Sequence, residues 1–227
     1  MVTQASVEPQ LIRSLGARVY LDRPAGTATK VYAPNLAIRL LYWLAFQAPF
    51  PYARGMAALQ AAEQRRRIVS LLTTYWYGED LVAPVLKIGC REDGCLFITR
   101  FIEGSEPRDR KRARRFLKDL THRFIEAGLP TWQVTPYNSR AVDNLIERSD
   151  GSYRIIDLES NLVAPLNPVS RIVGAIRQGN SPAFDDIDIE RLQTYLAKHP
   201  AQIVGALEVE GEASLHQGIA AYNAGGE

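Results

Sequence analysis

Two short strand-like runs, residues 142–147 and 153–158, flank Arg148-Ser149-Asp150-Gly151-Ser152, and this arrangement constrains the fold more than any other feature of the chain. An Asp-Gly turn between such runs closes an antiparallel hairpin. One arm carries Asn144 and the other ends near Asp157. An amide and a carboxylate brought together in this way offer the oxygen ligands that a hard cation such as magnesium takes. The lead-in Ile155-Ile156 is apolar, so Asp157 emerges from a buried element, where a carboxylate needs a polar partner or a metal.

Upstream, residues 11–15, 17–21 and 27–32 are β-prone runs separated by Gly16 and by the cluster Asp22-Arg23-Pro24-Ala25-Gly26; they read as three antiparallel strands. Residues 35–47 follow as an apolar helix, ended by Pro49 and Pro51. Residues 53–74 form a second helix. Met56, Leu59, Ile68 and Leu72 supply its apolar face, and Glu63-Gln64-Arg65-Arg66-Arg67 its polar one. Residues 82–88 and 96–102 are two more strands. Glu103-Gly104-Ser105-Glu106-Pro107 is a connector, and residues 108–127 are a helix that opens basic and gains Phe116, Leu117, Leu120, Phe124 and Ile125. Beyond Pro165 the pattern is helical near 169–177 and again over 188–207, where Asp185, Asp186 and Asp188 suit a helix start. The last residues, 222–227, are small and polar and fray.

Apolar residues make up 46% of the 227 positions, enough for one large domain or two small lobes around a cleft. With 23% charged residues and a formal net charge of +2, overall balance gives no reason to expect a nucleic-acid binder. The run Arg108-Asp109-Arg110-Lys111-Arg112-Ala113-Arg114-Arg115 reads as a solvated helix face rather than a phosphate or lipid contact. The start of the chain lacks the pattern of a secretory signal, and no stretch is long and apolar enough for a membrane span; residues 36–50 come nearest but are short and interrupted by Arg39, Gln47 and Pro49. A cytoplasmic protein is the expectation. Cys90 and Cys95 flank the hairpin signal Asp93-Gly94. A cross-strand disulfide fits that spacing, while a reducing compartment favours two free thiols. His122, His199 and His216 are scattered, with no zinc-ligand spacing and no catalytic triad.

Asn144-Leu145-Ile146 followed by Ile155-Ile156-Asp157-Leu158-Glu159 resembles the metal-binding part of the protein-kinase superfamily, in particular its compact bacterial branches related to small-molecule and lipopolysaccharide kinases. Ala28-Thr29-Lys30-Val31-Tyr32 resembles the third strand of that family, and Leu96 to Gly104 its fifth strand and hinge. The resemblance covers roughly residues 11–160. It implies an α+β, two-lobe kinase-like fold with a mostly β N-lobe over residues 1–101 and a shortened helical C-lobe over 102–227. It implies ATP and Mg2+ as cofactors: Lys30 on the phosphates, Glu63 positioning Lys30, Phe101 and Glu103 in the adenine-receiving hinge, and Asn144 and Asp157 on magnesium. Glu159 is either a third ligand or a solvated turn residue.

The chain departs from the family pattern at two places. Only Gly16 is available for a glycine-rich phosphate loop. The catalytic aspartate should lie five residues before the metal-binding asparagine, where Ser139 stands; aligning residues 131–138 over the catalytic loop puts Gln133 there instead. Asp143 has the right chemistry, but strand alternation would turn it from the face used by Asn144. Two functional expectations follow: an ATP- and magnesium-dependent phosphotransferase with an unknown small-molecule or protein acceptor, or a pseudokinase that binds nucleotide without turnover. A third is an interaction protein working through the apolar segment near Trp43.

Overall fold

The computed structural model describes residues 9–13, 17–37, 39–40, 56–91, 94–129, 131, 133–136, 138, 140–158 and 186–199. The expectations for residues 41–55, 159–185 and 200–227, including Trp43, Glu159 and the helix at 169–177, lie outside the described residues, as do Gly16 and Ser139.

The β-prone runs pair as expected. Strands β1 (Gln10–Arg13), β2 (Arg18–Asp22), β3 (Thr27–Tyr32), β4 (Val85–Arg91) and β5 (Gly94–Arg100) form one antiparallel sheet in the order β1-β2-β3-β5-β4. The β2–β3 turn closes through Asp22, whose Oδ1 accepts from Ala25 N at 2.9 Å, and through Gly26 N donating to Arg23 O at 3.0 Å. Gly26 there has φ +65, which glycine adopts without steric cost. Between β4 and β5 the register sets Cys90 directly opposite Cys95, and the two are joined in a disulfide. This corrects the expectation of free thiols: the cross-strand pairing holds the two sulfurs face to face.

Between β3 and β4 runs helix α1 (Met56–Tyr77). Leu59, Ala62, Ile68, Val69 and Leu72 are buried along it, whereas Met56 is exposed. The run 63–67 is not a uniformly polar face. Arg65 and Arg66 are 6% and 3% exposed, because their spacing from Leu59, Ala62 and Val69 keeps them on the inward stripe.

Helix α2 (Arg110–Glu126) starts where Asp109 caps it, its Oδ1 accepting from Lys111 N at 2.9 Å and Arg112 N at 3.0 Å. The helix closes with Leu129 N donating to Phe124 O at 2.7 Å around Gly128 at φ +74. Its inward stripe is Ala113, Leu117, Leu120, Thr121 and Phe124. Ile125, expected in that stripe, is 63% exposed, since it lies about 100° round the helix from Phe124.

The hairpin is shorter than its sequence suggests. Residues Ala141–Asn144 wind into a 3-10 turn before β6 (Leu145–Glu147), and β7 (Tyr153–Ile155) ends before Asp157. Asn138 causes the winding: its Oδ1 accepts from Arg140 N at 3.0 Å and its carbonyl from Ala141 N at 3.0 Å, an Asx-type turn that competes with strand pairing. Leu145 faces Ile155, and Glu147 faces Tyr153.

Among the described residues an apolar core joins the helices and the hairpin. Ile68, Val69 and Leu72 of α1 meet Leu117, Leu120 and Phe124 of α2 and Leu145 and Ile155 of the hairpin. Leu192 of helix α3 (Asp186–Lys198) completes it, with Trp76 Nε1 donating to Tyr195 Oη at 3.1 Å. The hairpin is also stitched to the chain just before β4 and just after β5. Ala83 N donates to Ile155 O at 3.0 Å and Ile155 N to Leu81 O at 2.6 Å, while Ser105 and Glu147 exchange bonds of 3.0 and 2.8 Å. The architecture is thus a mixed α+β one. Among the described residues no helix is long and apolar enough to cross a membrane.

Candidate functional site

Lys30 lies in the middle of β3, opposite Phe97 of β5 and Val19 of β2. Neighbouring strands on both sides hold its backbone. Its ammonium leaves the sheet and reaches Asp157 Oδ2 at 3.1 Å, with the two side chains 23% and 33% exposed. The Tyr32 ring also lies below it, 5.3 Å from Nζ to centroid.

Asp157 is placed by what precedes it. Ile155 is buried in the core and pinned to Leu81 and Ala83, and Ile156 N donates to Asn144 O at 2.9 Å. Those two anchors fix the direction in which the carboxylate leaves. Asn144, at the end of the 3-10 turn rather than on a strand, is therefore level with the residue before Asp157.

Gln133 links the two. Its side-chain amide donates to Asp157 Oδ1 at 3.3 Å, and its main-chain carbonyl accepts from Asn144 Nδ2 at 2.9 Å. The segment carrying it is anchored next door: Val134 is 1% exposed, its carbonyl lies 3.1 Å from the buried Thr121 hydroxyl, and Thr135 N donates to Thr131 O at 2.7 Å. The sequence offered Gln133 only through an alternative alignment of residues 131–138.

Asp143 points elsewhere, in ion pairs with Arg110 at 3.1 Å and Arg140 at 3.9 Å. Glu63 pairs with Arg67 at 3.0 Å, one turn along α1. The sequence reading missed Arg66 beside it. Its NH1 donates to Ala83 O at 3.0 Å and its NH2 to Ile156 O at 2.6 Å, so a buried cation touches the peptide that leads into Asp157. The one available signal was periodicity, since residue 66 falls in register with Leu59, Ala62 and Val69.

Phe101 and Glu103 lie in the connector after β5. Phe101 N donates to Gly26 O at 2.8 Å and its ring stacks under Arg23 at 5.5 Å, while Glu103 is exposed. Their described contacts are thus with the β2–β3 turn and solvent.

Among the described residues no group of three or more His, Cys, Asp or Glu side chains forms a metal cluster. The Asn144–Asp157 set is of another kind. Magnesium characteristically takes one or two carboxylates and completes its shell with water and substrate phosphate. Asn144 directs its amide nitrogen to Gln133 O, which turns Oδ1 the other way, and the Asp157 carboxylate beside it supplies the negative charge such a cation takes. The donor set therefore fits a magnesium ion shared with a phosphate, but not a closed protein cage. No protein-family model matches the chain, and no curated protein is significantly similar to it.

Proposed function

We propose that the chain is a kinase-like, ATP- and magnesium-dependent phosphotransferase acting on an unknown acceptor. The observation that carries this reading is the cluster of Lys30, Asp157, Gln133 and Asn144, in which a sheet ammonium meets the carboxylate and amide of the hairpin. The order of elements supports it: a lysine on the third strand, a helix before the fourth, and a fifth strand running into a connector that touches the hairpin. Lys30 would neutralise phosphate oxygens, and Asp157 with Asn144 would hold magnesium, which when bound neutralises charge on the phosphates. Phosphoryl transfer through a loose transition state draws mainly on such positioning and charge.

Gln133 supports a second reading. A carboxamide cannot accept a proton from an acceptor hydroxyl, and Asp143 is engaged with two arginines. A pseudokinase that binds magnesium-nucleotide without turnover follows from that chemistry.

Thermal shift with ATP, with and without Mg2+, tests the shared premise, because a ligand of the native state raises its melting temperature. The expected result is a magnesium-dependent rise that Lys30→Met and Asp157→Ala each abolish. No rise at millimolar nucleotide overturns both readings. Magnesium-dependent ATP hydrolysis or autophosphorylation, lost in Asp157→Ala, separates the first from the second.

A further inference from the structure

Arg66 is 3% exposed, and burying a guanidinium is costly unless its N–H groups find acceptors. The residues that satisfy it are informative. NH2 donates to Ile156 O, the peptide preceding Asp157, and NH1 donates to Ala83 O, whose own N–H is bound to Ile155. The guanidinium carbon also stands 5.3 Å from the ring centroid of Phe97, and Phe97 is the β5 residue opposite Lys30. One side chain of α1 therefore touches the residue across from the ammonium and the peptide that aims the carboxylate.

We propose that Arg66 is the positioning residue of the site: it fixes the 156–157 peptide and so couples the placement of α1 to the Lys30–Asp157 pair. The planar fork reaches two carbonyls from one side, 3.0 and 2.6 Å away, and a single ammonium lacks that geometry. The resemblance gives the corresponding helix role to Glu63, which here pairs with Arg67. A displacement of α1 along its axis moves the Arg66 donors relative to Ile156 O. Asp157 then loses the constraint on its backbone, and the ion pair loses its fixed length. The geometry stands by itself; its consequence for ligand binding rests on the magnesium-nucleotide reading above.

The test is a double-mutant cycle of Lys30→Met and Asp157→Asn, run by urea denaturation in the wild-type and in the Arg66→Lys backgrounds, beside calorimetric titration with MgATP. In the wild type the pair should be coupled about five-fold in the folding equilibrium, as expected for a partly exposed ion pair. In Arg66→Lys the coupling should fall below two-fold and MgATP affinity by at least ten-fold. A purely structural arginine would lower the urea midpoint and leave the coupling factor unchanged, and that result overturns the proposal. So does a wild type without coupling. Should Arg66→Lys fail to fold, Arg66→Gln, which keeps one planar NH2 donor, takes its place; failure of both to fold assigns Arg66 to the core alone and overturns the proposal too. Coupling lost in the variant while the wild type binds no MgATP sinks the nucleotide reading and leaves the positioning role standing.

Discussion

Lys30 and Asp157 are 127 positions apart in the chain, and their side chains meet at 3.1 Å. A contact of that separation is made only when the sheet and the hairpin are both in place, so it reports on their assembly rather than on either part.

Gln133→Glu should affect the free protein and the magnesium form in opposite directions. The amide that donates to Asp157 Oδ1 at 3.3 Å becomes a second carboxylate facing the first. Without a cation the variant should lose about 1–3 kcal/mol at neutral pH, the cost of an unmatched charge and a lost donor. Millimolar Mg2+ should raise its melting temperature more than it raises that of the wild type. Equal magnesium responses would show that residue 133 does not face the cation position.

Gly104→Ala should destabilise strongly. Gly104 has φ +152, and a Cβ there would run into Glu147 O and the Ile146 methyl group. The Glu147 carbonyl cannot yield cheaply, because Glu147 is bonded through both its N–H and its C=O to Ser105. A loss of about 3 kcal/mol by urea denaturation is expected, combining backbone strain with that collision. Gly26→Ala, at φ +65 with nothing within 4 Å, should lose only about 1–2 kcal/mol. Equal losses would disprove the close approach at the connector.

The stability of the fold should be held at both ends of the pH scale by Tyr77 and Asp119. The Tyr77 hydroxyl donates to Asp119 Oδ2 at 2.7 Å, and Arg123 Nε donates to the same oxygen at 3.0 Å. The Tyr77 hydrogen bond, more than the nearby guanidinium, holds Asp119 below the usual carboxylate range against its partial desolvation. Burial, then the bond to Asp119, pushes the Tyr77 phenol well above its ordinary 10.0. A depressed carboxylate gives stability that is present above its unfolded value near 3.8 and lost as pH falls through the folded one. A raised phenol gives stability present below 10.0 and lost as pH climbs beyond it. Tyr77→Phe should therefore flatten the urea midpoint against pH below about 4 and above about 10. A variant whose curve runs parallel to the wild type would refute the linkage.

Reduction should cost the sheet edge its cross-link. The Cys90–Cys95 bond spans a sequence separation of 5, and closing so short a loop in the unfolded chain is worth about 2 kcal/mol. Cys90→Ser/Cys95→Ser should lose that amount in non-reducing buffer and should match the wild type once dithiothreitol is present. A reductant-insensitive wild type would show that the thiols are free.

The strands were legible because each is a β-prone run bounded by turn residues, as with residues 27–32 after Gly26. The Asn144–Asp157 proximity was legible for the same reason, through the Asp150-Gly151 turn. The conformation of Asn144 was not, since the pull of the Asn138 side chain on its neighbours' N–H groups is a local competition that apolar spacing does not register. Arg66 was hidden by its company. Three consecutive arginines read as a solvated face, yet two of them are buried, and for Arg66 the carbonyls of Ala83 and Ile156, brought in from elsewhere in the chain, accept from the guanidinium. Gln133 had no residue-type signal, because a glutamine in a turn resembles any surface amide until Asp157 and Asn144 are seen on either side of it.

Arg100 N donates to Pro84 O at 2.9 Å, just inside the points where Ala83 and Ser105 are tied to the hairpin. The five-stranded sheet is thus tied to the hairpin at the Pro84–Arg100 end of its neighbouring strands β4 and β5, as a plate is by two adjacent hinges. A tilt of the sheet relative to the hairpin would have to be absorbed by the chain near Pro84 and by residues 101–104, and it would disturb the contact of Arg66 with Phe97 as well. Lys30 reaches Asp157 across the gap that such a tilt would open, so their ion pair would act as the latch, and Arg66, gripping Ile156 from α1, would set where it closes.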